Sequence, residues 1–395
     1  VLIGGMALGN IIFSLVYMNF SFLRMGTSGF TAQAFGRRDF RSVTQSLIRA
    51  LVVGFGIGVL LLALQLPIER FALSLMQGSY EVRSAASEYF YMRIWGAPAA
   101  MMIYSLNGWF VGMQNARAPM WIAICSNCVN VVLSLALAFG LDWGIAGVGL
   151  GTALSQWFGV AMALVIIGSR YSRLARYFGR TGLFARGVMR EFFRVNSDIF
   201  IRTFSLMMVM VYFTIASSGM GDEILAANNL MMQLFLVFSY FMDGFAYAGE
   251  AMVGRAFGAS NFRRVRLTVL WVLFWGFVTA LGCTVLYGVF SDWVLMLFNP
   301  SSAILDVAHE YLWWAIAVPL AGFLAYLMDG FMVAITATSI MRNSMIVSTA
   351  LFFGVYFGTL SSLGNDALWL AYILFLVSRG ICQFALSYKR LFARA

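Results

Sequence analysis

Apolar residues in this 395-residue chain come in blocks of about twenty, and nothing else in the sequence restricts its fold as strongly. That length is what an α-helix needs to cross a hydrocarbon core of about 30 Å. The blocks are continuously apolar and lack the alternation of a membrane barrel strand, so helices are the expected spanning elements. Composition agrees: 62% of residues are hydrophobic and 11% charged, against roughly 25% charged in a soluble domain. Eleven spans are predicted, near Leu2–Leu23, Ser46–Leu66, Ala85–Gly112, Met120–Phe139, Ile145–Gly168, Val195–Ser217, Ile224–Glu250, Val265–Val289, Tyr311–Ile335, Met345–Leu363 and Ala367–Leu386. The fold class is therefore an all-α polytopic membrane protein.

Charge in the gaps orients the spans. Arg37, Arg38 and Arg41, then Arg117, then Arg263, Arg264 and Arg266, then Arg342, and finally Lys389, Arg390 and Arg394 fall in alternate gaps. The intervening gaps are acidic or mixed, with Glu69, Glu81, Asp142, Asp222, Glu223, Asp292, Asp306 and Asp366. Basic loops mark the cytoplasmic side, so the C-terminus is expected there, in the cytoplasmic (inner) membrane of a bacterium. The net charge of +10 is accounted for by these loops and implies no nucleic acid. A longer basic stretch carries Arg170, Arg173, Arg176, Arg180, Arg186 and Arg190. It suggests an N-terminal lobe at 1–168, a basic cytoplasmic linker at 169–194 and a C-terminal lobe at 195–395.

The lobes read as copies. Phe35-Gly36 followed by Asp39-Phe40-Arg41 recurs 222 residues later as Phe257-Gly258 followed by Asn261-Phe262-Arg263. Asn107-Gly108 followed by Val111 recurs at the same 222-residue offset as Asp329-Gly330 followed by Val333. In this register the span Val195–Ser217 has no counterpart, because its image falls before Val1. A twelfth span is therefore expected ahead of Val1, giving two pseudo-symmetric six-helix lobes about an axis along the membrane normal, with a cleft between them.

An ionisable group inside a span costs at least a few kcal/mol and is a functional candidate by default. Four carboxylates qualify: Asp198, Asp243, Glu250 and Asp329. Asp198 lies four residues from Arg202 and is expected to pair with it along one helix face, as a structural or gating pair. Asp243 and Asp329 have no basic residue one turn away and are the favoured ion-coupling carboxylates, by the rule that burial opposes and a neighbouring arginine favours the charged form. Glu250 shares a face with Asp243 and lies near the cytoplasmic end. Asn107, Asn127, Asn130, Gln156, Asn228, Asn229 and Gln233 could hydrogen-bond a substrate in a cavity or join helix to helix. Cys125-x-x-Cys128 lies within an apolar span without a second pair, which speaks against zinc. His309 reads as interfacial, and Arg93 as a group that snorkels or pairs. No phosphate loop, nucleophile elbow or metal-binding helix motif occurs, so neither an enzyme nor an ATPase subunit is implied.

Gly26-Thr27-Ser28-Gly29 followed by Thr31-Ala32-Gln33-Ala34-Phe35-Gly36, with Arg24 before it, resembles the end of the second helix of multidrug and toxic compound extrusion (MATE) transporters. Asp243-Gly244-Phe245-Ala246 with Glu250 and Gly254 resembles the eighth helix of the branch named for DNA-damage-inducible protein F. Asn196-x-Asp198-x-x-x-Arg202 is similar to that branch's seventh helix. The resemblance implies twelve helices in two lobes and export of organic cations or amphipathic compounds against an inward proton gradient, with sodium as the alternative ion. It implies no cofactor, a small-molecule substrate, a lipid bilayer and a monomer. It also matches Asp329 to a tenth-helix aspartate of other branches, and implies a first-helix aspartate in a segment absent here. A lipid-linked precursor flippase and a membrane-embedded enzyme are the alternative readings.

Overall fold

Each expected span is helical over most of its length in the computed structural model, which describes residues 2–75, 79–178, 182–296 and 302–392. Arg180 and Arg394 lie outside the described residues. The elements are α1 Leu2–Met18, α2 Phe22–Gly36, α3 Phe40–Ala63, α4 Gln65–Leu75, α5 Tyr80–Arg93, α6 Ala97–Gly112, α7 Arg117–Leu135 and α8 Gly144–Arg170. They continue as α9 Arg186–Ser218, α10 Asp222–Gly258, α11 Phe262–Val289, α12 Ser291–Met296, α13 Ser302–Ala334, α14 Thr338–Leu363 and α15 Asn365–Phe392.

Among the described residues ten helical stretches are long and apolar enough to cross a membrane, the first of them, Gly4–Gly36, taking in most of α1 and all of α2. The eleventh expected span, Ala85–Gly112, is present as α5 and α6, joined through a 3₁₀ turn at Ile94–Gly96. Pro98 in the first turn of α6 has no amide to donate, so the helical ladder restarts there. The expected span Leu2–Leu23 is also redrawn: a turn separates α1 from α2, and the Asn19 side chain donates to the Leu15 carbonyl at 2.7 Å. Several helices outrun the apolar core. Helix α9 begins at Arg186, ahead of the expected Val195, and its 33 residues make a rod about 50 Å long.

The chain divides into two compact units, Val1–Asn196 and Ser197–Ala395. Inside each, apolar side chains fill the interior and also cover the outside. Helix α11 exposes Leu270, Trp271, Phe274 and Trp275, a row that water would not tolerate and lipid does. In the N-terminal unit the Trp109 indole donates to the Val43 carbonyl at 3.1 Å. In the C-terminal unit Asn228 donates to Ser217 and Asn365, each at 2.8 Å, and accepts from the Trp369 indole at 2.8 Å. That buried lattice ties α9, α10 and α15 together at one end.

The duplication extends to the backbone. Arg38, Gln114 and Asp142 have φ of 59°, 64° and 55°. Their counterparts 222 positions on, Ser260, Thr336 and Gly364, have φ of 55°, 51° and 54°. Positive φ is uncommon for non-glycine residues, so Arg38 with Ser260 and Gln114 with Thr336 mark matching turns in the two units, while Gly364, with ψ of −122°, lies outside the left-handed helical region. Close helix approaches recur too. A Cβ on Gly108 would lie 2.2 Å from the Arg24 carbonyl oxygen, and one on Gly330 would lie 2.6 Å from that of Ala246, again 222 residues apart.

The N-caps match as well. The Asp39 carboxylate accepts from the Ser42 amide at 3.0 Å, and the Asn261 side chain accepts from the Arg264 amide at 3.0 Å. Partial burial works against the charged form of Asp39, but hydrogen bonds from the Ser42 hydroxyl and amide, with the Arg37 charge, outweigh it. They hold the carboxyl below its usual range. Its contribution is therefore complete above the unfolded carboxyl value near 3.8 and lost as pH falls through the lower folded value. Asp39→Ala and Asn261→Ala should each cost about 1 kcal/mol at neutral pH. In thermal unfolding of detergent-solubilised protein, the Asp39→Ala penalty should shrink as pH falls below about 4, while the Asn261→Ala penalty persists.

Candidate functional site

Within the C-terminal unit, three helices bring charge to one place. Asp329 on α13 is 4% exposed, a depth at which an ionised carboxylate needs partners. Its Oδ2 forms an ion pair with Arg202 of α9 and lies 3.6 Å from Nη2 of Arg379 on α15. Its Oδ1 accepts from Nε2 of Gln383, one turn beyond Arg379, at 2.8 Å. Arg379 is 1% exposed and Gln383 fully buried. The Arg379 guanidinium lies over the rings of Tyr326 and Phe375, at 5.4 and 5.8 Å. A delocalised, weakly hydrated cation is well suited to such a setting. Asp243 of α10 is near enough to Tyr326 for its charge to act on the hydroxyl. Several buried polar atoms of the cluster remain unused: Nε of Arg202, Nε of Arg379, Oε1 of Gln383 and the Tyr372 hydroxyl.

The second carboxylate pair differs from the one expected. Asp198 is not paired with Arg202 along α9. It accepts from Nη1 of Arg342 at 2.5 Å and from the Thr338 hydroxyl at 2.9 Å, both on α14. Arg202 turns instead to Asp329. Residues four apart on a helix can meet, but each charge here gains a partner on another helix. Asp329 therefore has a basic neighbour after all, supplied by helices whose approach the local sequence does not encode.

Asp243 is half-buried, and Glu250, on the same helix, is 1% exposed; both are engaged in polar interactions. Asn228 is locked in the lattice described above, which gives it a structural place. Asn130 donates to Thr152 at 3.5 Å and accepts from Ser134 at 2.9 Å, joining α7 to α8. Gln156 packs beside Gly96 at the helix break, its Oε1 without a hydrogen-bond partner. Asn107, which occupies the position matching Asp329 in the N-terminal unit, likewise has an unpartnered Oδ1. Asn127 is exposed. Asn229 and Gln233 are exposed one turn apart on α10, on the face that carries Tyr240 and Tyr247. In the N-terminal unit Arg93 donates to Asn10 and, at 2.9 Å, to the Tyr89 hydroxyl. Its guanidinium lies 4.4 Å from the centre of the Phe13 ring, so it pairs inside the unit. Arg379 and Gln383 escaped the sequence reading, although an arginine midway through an apolar span is visible there and is itself a functional signal.

A multi-pass helical membrane protein made of two copies of one lobe, with a charged cluster buried in the second, is the architecture of a secondary transporter. The MatE family model matches residues 2–136 and 199–360, and the chain belongs to this family of transporters. The DNA damage-inducible protein F of Escherichia coli K12 is 33% identical over 387 residues, covering 96% of this chain and 83% of that protein. A probable multidrug resistance protein NorM of Neisseria meningitidis serogroup B is 23% identical over 321 residues, covering 79% and 69% respectively. A crystal structure of MATE in the bent conformation superposes with a TM-score of 0.87 at 17% identity, over 98% of this chain and 88% of that one.

Replacing Asp329 by Asn strands two buried guanidinium groups. Asp329→Asn should lower stability by about 3–5 kcal/mol, the scale for breaking a buried pair. Adding Arg202→Gln should recover part of that loss, with a coupling energy of about 1–3 kcal/mol in a double-mutant cycle of thermal unfolding. Additive losses would mean that the two side chains do not depend on each other.

Proposed function

We propose that this chain is a cation-coupled antiporter that exports amphipathic organic molecules, organic cations among them, by alternating access. The observation that carries the reading is the Asp329 cluster, in which one carboxylate holds groups from α9 and α15 to α13. The two arginines favour the charged form of Asp329, so in this scheme it takes a proton only as a rearrangement draws them away, and protonation then replaces its charge with a neutral acid. Arg202 and Arg379 are left without the anion they shared, and Gln383 loses its acceptor. A change at one oxygen thereby alters the preferred packing of three helices, the differential interaction a ligand needs to shift a conformational equilibrium. Asp243, whose charge acts on Tyr326 of the cluster, is the second proton carrier in this scheme. The coupling ion is a proton, and branch resemblance supports that choice over sodium. The exposed face of α10 bearing Asn229, Gln233, Tyr240 and Tyr247 supplies aromatic surface and amides suited to varied amphipathic substrates.

Export then follows from competition: cation occupancy favours one arrangement and substrate the other. Moving one charge through 100 mV yields about 2.3 kcal/mol, enough for roughly a 50-fold substrate gradient. The working protein is a monomer in the bacterial cytoplasmic membrane with its C-terminus in the cytoplasm.

In proteoliposomes containing the purified protein, efflux of a fluorescent organic cation should require a pH gradient and fail in Asp243→Asn. Asp329→Asn should also fail, even where its fold is retained. Efflux that follows sodium alone would keep the exporter and replace the ion. No movement under either gradient would overturn the reading and favour a lipid-linked precursor flippase.

A further inference from the structure

Away from the charged cluster, α7 and α8 of the N-terminal unit form a groove of about 320 Å³ lined by Arg117, Ala118, Trp121, Met162, Ile166 and Arg170. Its residues are laid out in depth. Arg117 and Trp121 are one turn apart on α7, while Met162, Ile166 and Arg170 follow at four-residue steps on α8. The two helices run in opposite directions along the groove, so the arginines meet at one end, the start of α7 and the end of α8. Below them lies an apolar floor that reaches about 12 Å along α8 from Arg170 to Met162. Trp121 is 52% exposed, an amphipathic ring of the kind that settles at the level of lipid headgroups.

The arginine end has no internal counter-charge. Neither α7 nor α8 contains a carboxylate, nor does α6, nor the turn Ser172–Tyr177 that follows α8. Neither arginine takes part in an ion pair among the described residues. The end is held open by a bridge. Asn115 accepts from the Ala118 amide at 3.2 Å, which fixes the first turn of α7, and donates to the Tyr171 hydroxyl at 3.0 Å, which ties that turn to the residue after Arg170. The spacing of the two cations is therefore set by the fold.

We propose that this groove binds an anionic phospholipid, its phosphate between Arg117 and Arg170 and an acyl chain along Trp121, Ile166 and Met162. Two guanidinium groups lining one end of a groove suit a phosphate, and the apolar floor selects a lipid over a free anion. The groove lies on the end of the unit that carries the basic loops, where anionic headgroups of the facing leaflet are attracted to arginine.

Native mass spectrometry of the purified full chain in neutral detergent tests this, titrating dioleoyl phosphatidylglycerol beside dioleoyl phosphatidylcholine. The wild type should take up phosphatidylglycerol preferentially. Arg117→Gln combined with Arg170→Gln should weaken that binding about thirty-fold, roughly fivefold for each basic group at the surface, and leave phosphatidylcholine unchanged. Arg176→Gln, at an exposed arginine of the same end outside the groove, should keep wild-type binding and so exclude a general effect of net charge. Retention of full phosphatidylglycerol binding by the double variant would overturn the proposal. So would displacement of the lipid by millimolar inorganic phosphate, which would mark a site for a soluble anion.

Discussion

A charge enclosed in a helical bundle within a bilayer has no bulk water to return to, and its partners must come from other helices. Asp329 makes this constraint concrete. A single carboxylate collects a guanidinium from α9, a guanidinium and an amide from α15, and through Arg379 the aromatic faces of Tyr326 and Phe375. The C-terminal unit is organised around this requirement. Its apolar residues would pack in many similar ways, whereas a buried ion with three partners admits few arrangements. The neighbouring Asp198–Arg342–Thr338 contact applies the same constraint between α9 and α14. Helix α9 is therefore held at two levels by charges on different partners.

In the proposed cycle, function and stability draw on the same groups. A bundle pinned by well-satisfied charges is rigid, and one pinned by charges that can be neutralised has a defined way to let go. The unused nitrogen and oxygen atoms around Asp329 mean that the cluster has other hydrogen-bonding arrangements within reach. That matters for the proposed function, because an alternating-access cycle needs two packings of nearly equal energy. The lattice of Asn228, Asn365 and Trp369 contrasts with it, having no ionisable member and a partner for each amide. It keeps one end of α10 and α15 together whatever the charge state of the cluster.

Much of this was legible in the sequence because membrane folds write their constraints locally. Span length needs only neighbouring residues, and it anticipated the helices; the 222-residue repeat pointed to a duplicated fold, and the short motifs at Gly26–Gly36 and Asp243–Gly254 pointed to the family. The break at Ile94–Gly96 escaped because apolarity is the same on both sides of a 3₁₀ turn, although Pro98 marked the place. The partners of the carboxylates escaped for a different reason. Spacing along one helix suggested Asp198 with Arg202, and the fold exchanged both partners across helices. Which helix faces which is a tertiary property, and four-residue arithmetic cannot supply it. The seven amides read as alike, yet burial separates Asn228, an anchor, from Asn229 beside it, which is exposed.

The paired left-handed turns show what the duplication retained. Arg38 and Ser260, and Gln114 and Thr336, share a positive φ while sharing no side chain. At these turns the chain path has been kept; the chemistry has not. At the register of Asp329 the N-terminal unit carries the amide Asn107, which cannot change charge in the physiological range. Two mechanically similar halves are thus electrically unlike. Under the proposed coupling, a rise in proton concentration addresses this position in one half and passes its counterpart by, so an electrical difference arises in a fold that began as two equal parts.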